Sequence, residues 1–97
     1  MSLQQTIKDS IKDALKSGDS VRLTVVRGLS TAFMNELVAT GRTPQSELSD
    51  EEVITVITRE AKRRKDSIDQ FTSGGRADLA ESEQLELAIL AEFLPVL

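Results

Sequence analysis

The 97-residue chain has no cysteine, histidine, tryptophan or tyrosine, and only two prolines and three phenylalanines. Without cysteine there is no disulfide and no thiolate nucleophile, and without cysteine or histidine there is no zinc site of the usual kind. Without histidine no imidazole can serve as a base near neutral pH or activate a serine. No apolar run approaches the ~20 residues of a membrane span. The N-terminus alternates Lys and Asp around an apolar stripe, unlike the unbroken apolar stretch of a secretory signal. These absences predict a cytoplasmic protein that neither enters a membrane nor holds a metal or cofactor.

Apolar residues make up 39% of the chain and charged residues 29%. That balance and the length suit one small domain with one hydrophobic core. The net charge of −4 is unevenly spread. Residues 1–40 carry +1, 41–73 carry −1, and 74–97 carry the remaining −4. A globally acidic domain is a poor general binder of polyanions, so any nucleic-acid contact has to come from a local basic patch.

Apolar residues recur at three and four, and alternation of period two never persists, so the expected fold is all-α. The first helix is predicted over 3–17, on Leu3, Ile7, Ile11 and Leu15, with Ala14 on the same side. Ser2 and Gln5 have capping-box spacing and Gly18 ends it. The second is predicted over 20–40, capped by Asp19 or Ser20. Val25, Val26, Leu29, Ala32, Phe33 and Leu37 form its face, and Leu23 and Met34 stand at one edge. Residues 41–49 form the loop. The third helix starts at the capping box of Ser49 and Glu52 and runs to Ser73, with Val53, Ile57, Ala61, Ile68 and Phe71 as its stripe. Gly74-Gly75 breaks it. The fourth runs from Arg76 to Leu94, where Pro95 stops it. Leu79, Leu85, Leu87, Ile89 and Leu90 are among its apolar residues. Short connections place consecutive helices antiparallel, as two packed helical hairpins.

Some charges fall where apolar residues are expected. Arg64 lies within the stripe of the third helix, between Ala61 and Ile68. Glu83 and Glu86 lie inside the apolar arc of the fourth, and Arg22 and Glu36 inside that of the second. If the tight turn centres on 74–75, Arg64 stands level with Leu85, within reach of Glu83 and Glu86. One reading is an internal ion-pair network, for which a planar guanidinium is suited. The others are a polar pocket for a small anion or a partner's side chain, and simple exposure. Were the pair fully buried, Arg64→Ala would cost ~3 kcal/mol or more.

The third helix also carries five positive charges against one negative between residues 59 and 65. Arg59, Lys62 and Arg63 share its polar face. They read either as a solvated face, with Lys62–Asp66 and Lys65–Asp69 pairs, or as a phosphate-contacting ridge for RNA. Aromatic stacking groups are scarce, since the three Phe fall on predicted core faces. No catalytic constellation emerges. Asp50-Glu51-Glu52 reads as a helix start, Gly74-Gly75 is too short to cradle a phosphate, and no nucleophile–base pair is visible.

The stretches REAKRRKDSIDQF at 59–71 and GGRADLAESEQLELAILAEFLP at 74–95 resemble the YqeY family. DSVRLTVVRGLSTAFMNELVATGR at 19–42 and LSDEEVITVI at 48–57 fit the same pattern. The resemblance implies an all-helical, cytoplasmic, mostly bacterial protein with no established catalytic residues. It also implies a link to tRNA, through the related tail of the glutamyl/aspartyl-tRNA amidotransferase B subunit. A similar module appended to an aminoacyl-tRNA synthetase helps to hold tRNA. The amidation chemistry itself needs a separate glutaminase and a kinase-like site, and neither is legible here. Similar proteins continue past the Leu-Pro at 94–95 into a second helical domain, so this chain is expected to be the first domain alone.

Three functions therefore compete. The first is an accessory tRNA-binding module without catalysis. The second is a protein-interaction module that docks on a tRNA-modifying or aminoacylating enzyme or associates with itself. Val56 and Val38, off the centres of their stripes, support it. The third is an amidase, which the missing nucleophile–base pair disfavours. The sequence does not specify the oligomeric state.

Overall fold

The structure is a computed structural model that describes residues 2–94. Four helices follow in order: α1 (Leu3–Ser17), α2 (Ser20–Ala39), α3 (Asp50–Ser73) and α4 (Ala77–Glu92). The described residues contain no strand. α1 packs on α2 and α3 packs on α4, so the chain forms two helical hairpins. α2 joins them by meeting both α3 and α4, and α1 also touches α3.

Local chemistry sets the helix ends. Ser2 accepts from the Gln5 N–H at the start of α1, and Asp19 accepts from the Arg22 N–H at the start of α2. At the start of α3, Ser49 and Glu52 exchange both hydrogen bonds of a capping box, and Asp50, Glu51 and Glu52 face the positive end of the helix dipole. Gly18, at φ 71°, turns α1 into α2, and Gly75, at φ 74°, turns α3 toward α4, in a conformation that a β-carbon disfavours. α4 begins one residue after Arg76, which supplies no side-chain cap. It closes with the Phe93 N–H bonded to the Leu90 carbonyl and the Leu94 N–H to the Ala91 carbonyl. The expected stop at Pro95 lies outside the described residues.

One core unites all four helices. It contains Ile7, Val25, Val26, Leu29, Phe33, Leu37, Leu48, Val53, Val56, Ile57, Ile89 and Leu90. α3 contributes only residues before Ala61 to this cluster, and α4 only residues near its end. The tip of the second hairpin, residues 62–88, is therefore an arm of two helices. Ile68, Phe71, Leu79 and Leu87 are half-buried there.

Four positions depart from the expected faces. Leu15 is 54% exposed, because the buried side of α1 runs through Gln4, Ile7 and Ala14. A strict spacing of four drifts about 40° per step around a helix, which carries Leu15 off that side. Val56, expected off the stripe, is only 4% exposed. α2 covers that flank of α3, so the buried arc is wider than one stripe. Leu85 is exposed on the outside of the arm. Leu48, in the loop, is buried. It precedes the Ser49 cap, and Val53 stands four residues beyond it, which are the positions of a hydrophobic staple. The buried Gln4 side chain accepts from the Leu48 N–H at 2.7 Å, fixing the loop against α1.

Candidate nucleic-acid interface

α3 presents its basic residues at the root of the arm. Arg59, Lys62, Arg63 and Lys65 are all exposed. Spacings of three and four residues bring Arg59, Lys62 and Arg63 onto one side of the helix. Arg59 reaches across to α2, where its Nη2 donates to Glu36 Oε2 at 2.9 Å. Arg63 Nη1 meets Glu60 Oε1 of its own helix at 3.4 Å and stays 73% exposed. Among the described residues Lys62 and Lys65 form no ion pair, so neither the Lys62–Asp66 nor the Lys65–Asp69 pair is made.

Beside this ridge, a groove between α2 and α3 holds two open hollows. The larger, of about 230 Å³, is walled by Asn35 and Glu36 of α2 and by Arg59, Glu60 and Arg63 of α3, over Ala32, Ala39 and Val56. The smaller, of about 210 Å³, is lined by Glu36, Glu51, Glu52, Thr55 and Arg59. Glu36 and Arg59 belong to both, so their ion pair stands between the two. At the far end Arg42 donates to Glu52 through Nη1 and Nη2, with Nη1–Oε1 at 3.0 Å. That bond, reinforced by the Ser49 backbone N–H, pulls the Glu52 carboxyl down to about 2. The same contact raises the Arg42 guanidinium above its ordinary value.

Arg64 points away from the ridge, into the seam of the arm. Its Nε lies 3.4 Å from Glu83 Oε2 and 3.9 Å from Glu86 Oε2, and its Nη1 lies 3.8 Å from Glu60 Oε2. The Arg64 Nε and Glu83 Oε2 atoms are shielded from solvent yet share no hydrogen bond. The attraction is therefore one of charge at a distance. The Arg64 side chain keeps 26% of its exposure and its partners about a fifth of theirs, so the cluster is half-buried. Sequence reasoning missed Glu60, one turn before Arg64. The other two misplaced charges also pair: Arg22 Nη2 meets Glu92 Oε2 at 2.7 Å and Glu36 takes Arg59. The Glu92 hydrogen bond holds the Arg22 guanidinium above its ordinary value.

No described helix is long and apolar enough to cross a membrane, and no cluster of metal-ligating side chains forms among the described residues. A family model described as Yqey-like protein matches residues 4–96. The chain belongs to the YqeY family. An uncharacterised protein of Schizosaccharomyces pombe is 31% identical over 96% of this chain and 72% of its own length. Altered inheritance of mitochondria protein 41, mitochondrial, is 32% identical in Lachancea thermotolerans, over 91% of this chain and 46% of the relative. In Candida glabrata it is 30% identical, over 92% and 48%. The chain thus spans about half the length of these mitochondrial YqeY relatives. Their names and sources overturn the expectation of a cytoplasmic protein of bacterial type.

Proposed function

We propose that this YqeY domain is an accessory, tRNA-linked module that holds RNA and does no chemistry of its own. The observation that carries this reading is the basic ridge of Arg59, Lys62 and Arg63, exposed within two turns of α3 on a chain whose net charge is −4. Phosphate contacts by such a ridge supply affinity that falls steeply with salt. Absence of His and Cys from the chain supports a role in positioning rather than catalysis. The family's relation to the amidotransferase tail supports tRNA as the ligand, with further contacts coming from a second domain of the kind that similar proteins carry. The test is binding of tRNA at low salt by wild type and by a variant with Arg59, Lys62 and Arg63 reversed to Glu. Salt-dependent binding lost in the variant supports the reading. No binding by wild type at micromolar protein overturns it for this domain.

A second reading, docking on a tRNA enzyme through protein contacts, draws on Met34 and Val38. Both are exposed and stand one turn apart on α2. Val56, which lent it support in the sequence, is buried and withdraws that support. Co-purification of a tRNA enzyme that survives nuclease and is lost on Met34→Lys with Val38→Lys would favour this second reading.

A further inference from the structure

The larger hollow between α2 and α3 holds two guanidiniums and two carboxylates already paired with each other. Arg59 is taken by Glu36 at 2.9 Å and Arg63 by Glu60 at 3.4 Å, and all four line the hollow together with Asn35. Both guanidiniums are more than half exposed, so exchanging these pairs for another anion costs little. A phosphate group can accept charge-assisted hydrogen bonds from two guanidiniums at once. Positions i and i+4 place the two arginine stems about 6 Å apart at the β-carbons, close enough for both heads to converge on one phosphate.

Glu60 also has a second cation within its reach. Glu60 lies 3.8 Å from Arg64 through its other oxygen. Glu36 keeps about a quarter of its side-chain exposure, so water can solvate it on release. Release of Glu60 therefore leaves it beside Arg64, and release of Glu36 leaves it at the edge of solvent.

We propose that this hollow is a latched phosphate seat, in which an RNA phosphate displaces Glu36 and Glu60 from Arg59 and Arg63, and Asn35 donates its amide to the same phosphate. The proposal rests on the RNA-holding reading and adds to it a competition inside the protein. The glutamates set how tightly the ridge grips, and Lys62, outside the hollow, serves a neighbouring phosphate.

The test compares tRNA binding by Glu36→Gln, Glu60→Gln and Glu81→Gln across a salt series. Glu81 is exposed on α4 and does not line the hollow, so its variant makes the same change in net charge alone. Glu36→Gln and Glu60→Gln should each bind tRNA about three- to tenfold tighter than Glu81→Gln. Arg59→Ala and Arg63→Ala should each flatten the slope of log K against log salt by about 0.7–0.9. Equal affinities for Glu36→Gln and Glu81→Gln would overturn the latch, even where wild type binds tRNA well. Inorganic phosphate provides a check that does not depend on RNA, read at the Arg59 and Arg63 side-chain Nε–Hε resonances. The resonances should move on titration, and at lower phosphate in Glu36→Gln. Stationary resonances would overturn the seat. Moving resonances with no tRNA binding would keep the seat and remove the RNA reading.

Discussion

The body and the arm of this molecule are built from the same kind of helix and held by different forces. In the body, α1, α2, the first half of α3 and the end of α4 meet around side chains such as Phe33, Ile7, Leu37 and Val53, none of which retains any exposure. In the arm, residues 62–88, no side chain joins the core cluster and α3 and α4 pack chiefly on each other. Ile68, Phe71, Leu79 and Leu87 are half-buried there and Leu85 is exposed, and Arg64 in the seam meets Glu83 and Glu86 across it and Glu60 one turn before. A two-helix contact cannot enclose a side chain on every side, so charges that would be intolerable in the body persist in the arm at the edge of solvent. The ridge sits where the two regions join. Its scaffold belongs to the body, while its cations point outward along the start of the arm.

Deleting one aromatic ring from each region gives the largest test of that contrast. Phe33→Ala should cost about 4 kcal/mol in urea unfolding, since it opens a cavity among fixed neighbours. Phe71→Ala should cost about half as much, because part of its ring already meets water and the site can collapse. Native-state hydrogen exchange should agree. Amides of the arm should exchange through partial openings, and those around Phe33 only through global unfolding. Equal costs and equal protection would show that body and arm form one cooperative unit.

A smaller effect is expected at Arg64. Full burial would make Arg64→Ala cost ~3 kcal/mol or more, but with about a quarter of the side chain exposed the expected loss is about 2 kcal/mol. It arises from leaving Glu60, Glu83 and Glu86 to repel one another. Protection of amides on both helices of the arm should fall with it, while those around Phe33 keep theirs. A loss below ~0.5 kcal/mol would place the seam among ordinary surface pairs.

This residue also shows what a sequence can display. A charge on an apolar face is visible on a helical wheel, and the Gly-Gly turn gives the register that brings Arg64 opposite Glu83 and Glu86. Ser49 and Glu52 were legible because capping is a local interaction. Val56 was not, because its burial depends on α2 crossing α3, a tertiary contact that periodicity does not encode. Leu15 was misplaced for a different reason, since a spacing of four drifts around the helix and carries it off the side of Ile7 and Ala14. Leu48 could have been found, because an apolar residue before a cap and another four residues beyond it signal a staple. Of the basic ridge, the charges were legible and the carboxylate that reaches Arg59 from another helix was not. Glu36 is distant from Arg59 in sequence, and only the packing of α2 on α3 brings it there.

At the cap itself, Ser49→Ala should cost about 1 kcal/mol by freeing the Glu52 N–H. The loss should spread through the body, because the first turn of α3 carries Val53 and the loop that buries Leu48. Exchange that quickened in the arm alone would contradict this.

The subtlest test is acid, and it separates the two regions by their carboxylates. Glu52 titrates at about 2 in the folded body, held down by Arg42, against an ordinary value of 4.5. A folded value below the unfolded one means the stabilisation is complete above about pH 5 and is lost as pH falls toward 2. Glu52→Gln removes the charge but keeps a side chain that can complete the capping box. The melting temperature of wild type should therefore fall more steeply with acid than that of Glu52→Gln, and the two curves should converge at low pH. Asp78, at the tip of the arm, is also held below its ordinary value, chiefly by its hydrogen bond with Arg76. Its loss on acidification should loosen the α3–α4 turn and leave the melting of the body nearly unchanged. Asp78→Asn should therefore track wild type in melting temperature across the same pH range. An Asp78→Asn curve that instead followed Glu52→Gln would mean that the tip of the arm is coupled to the body.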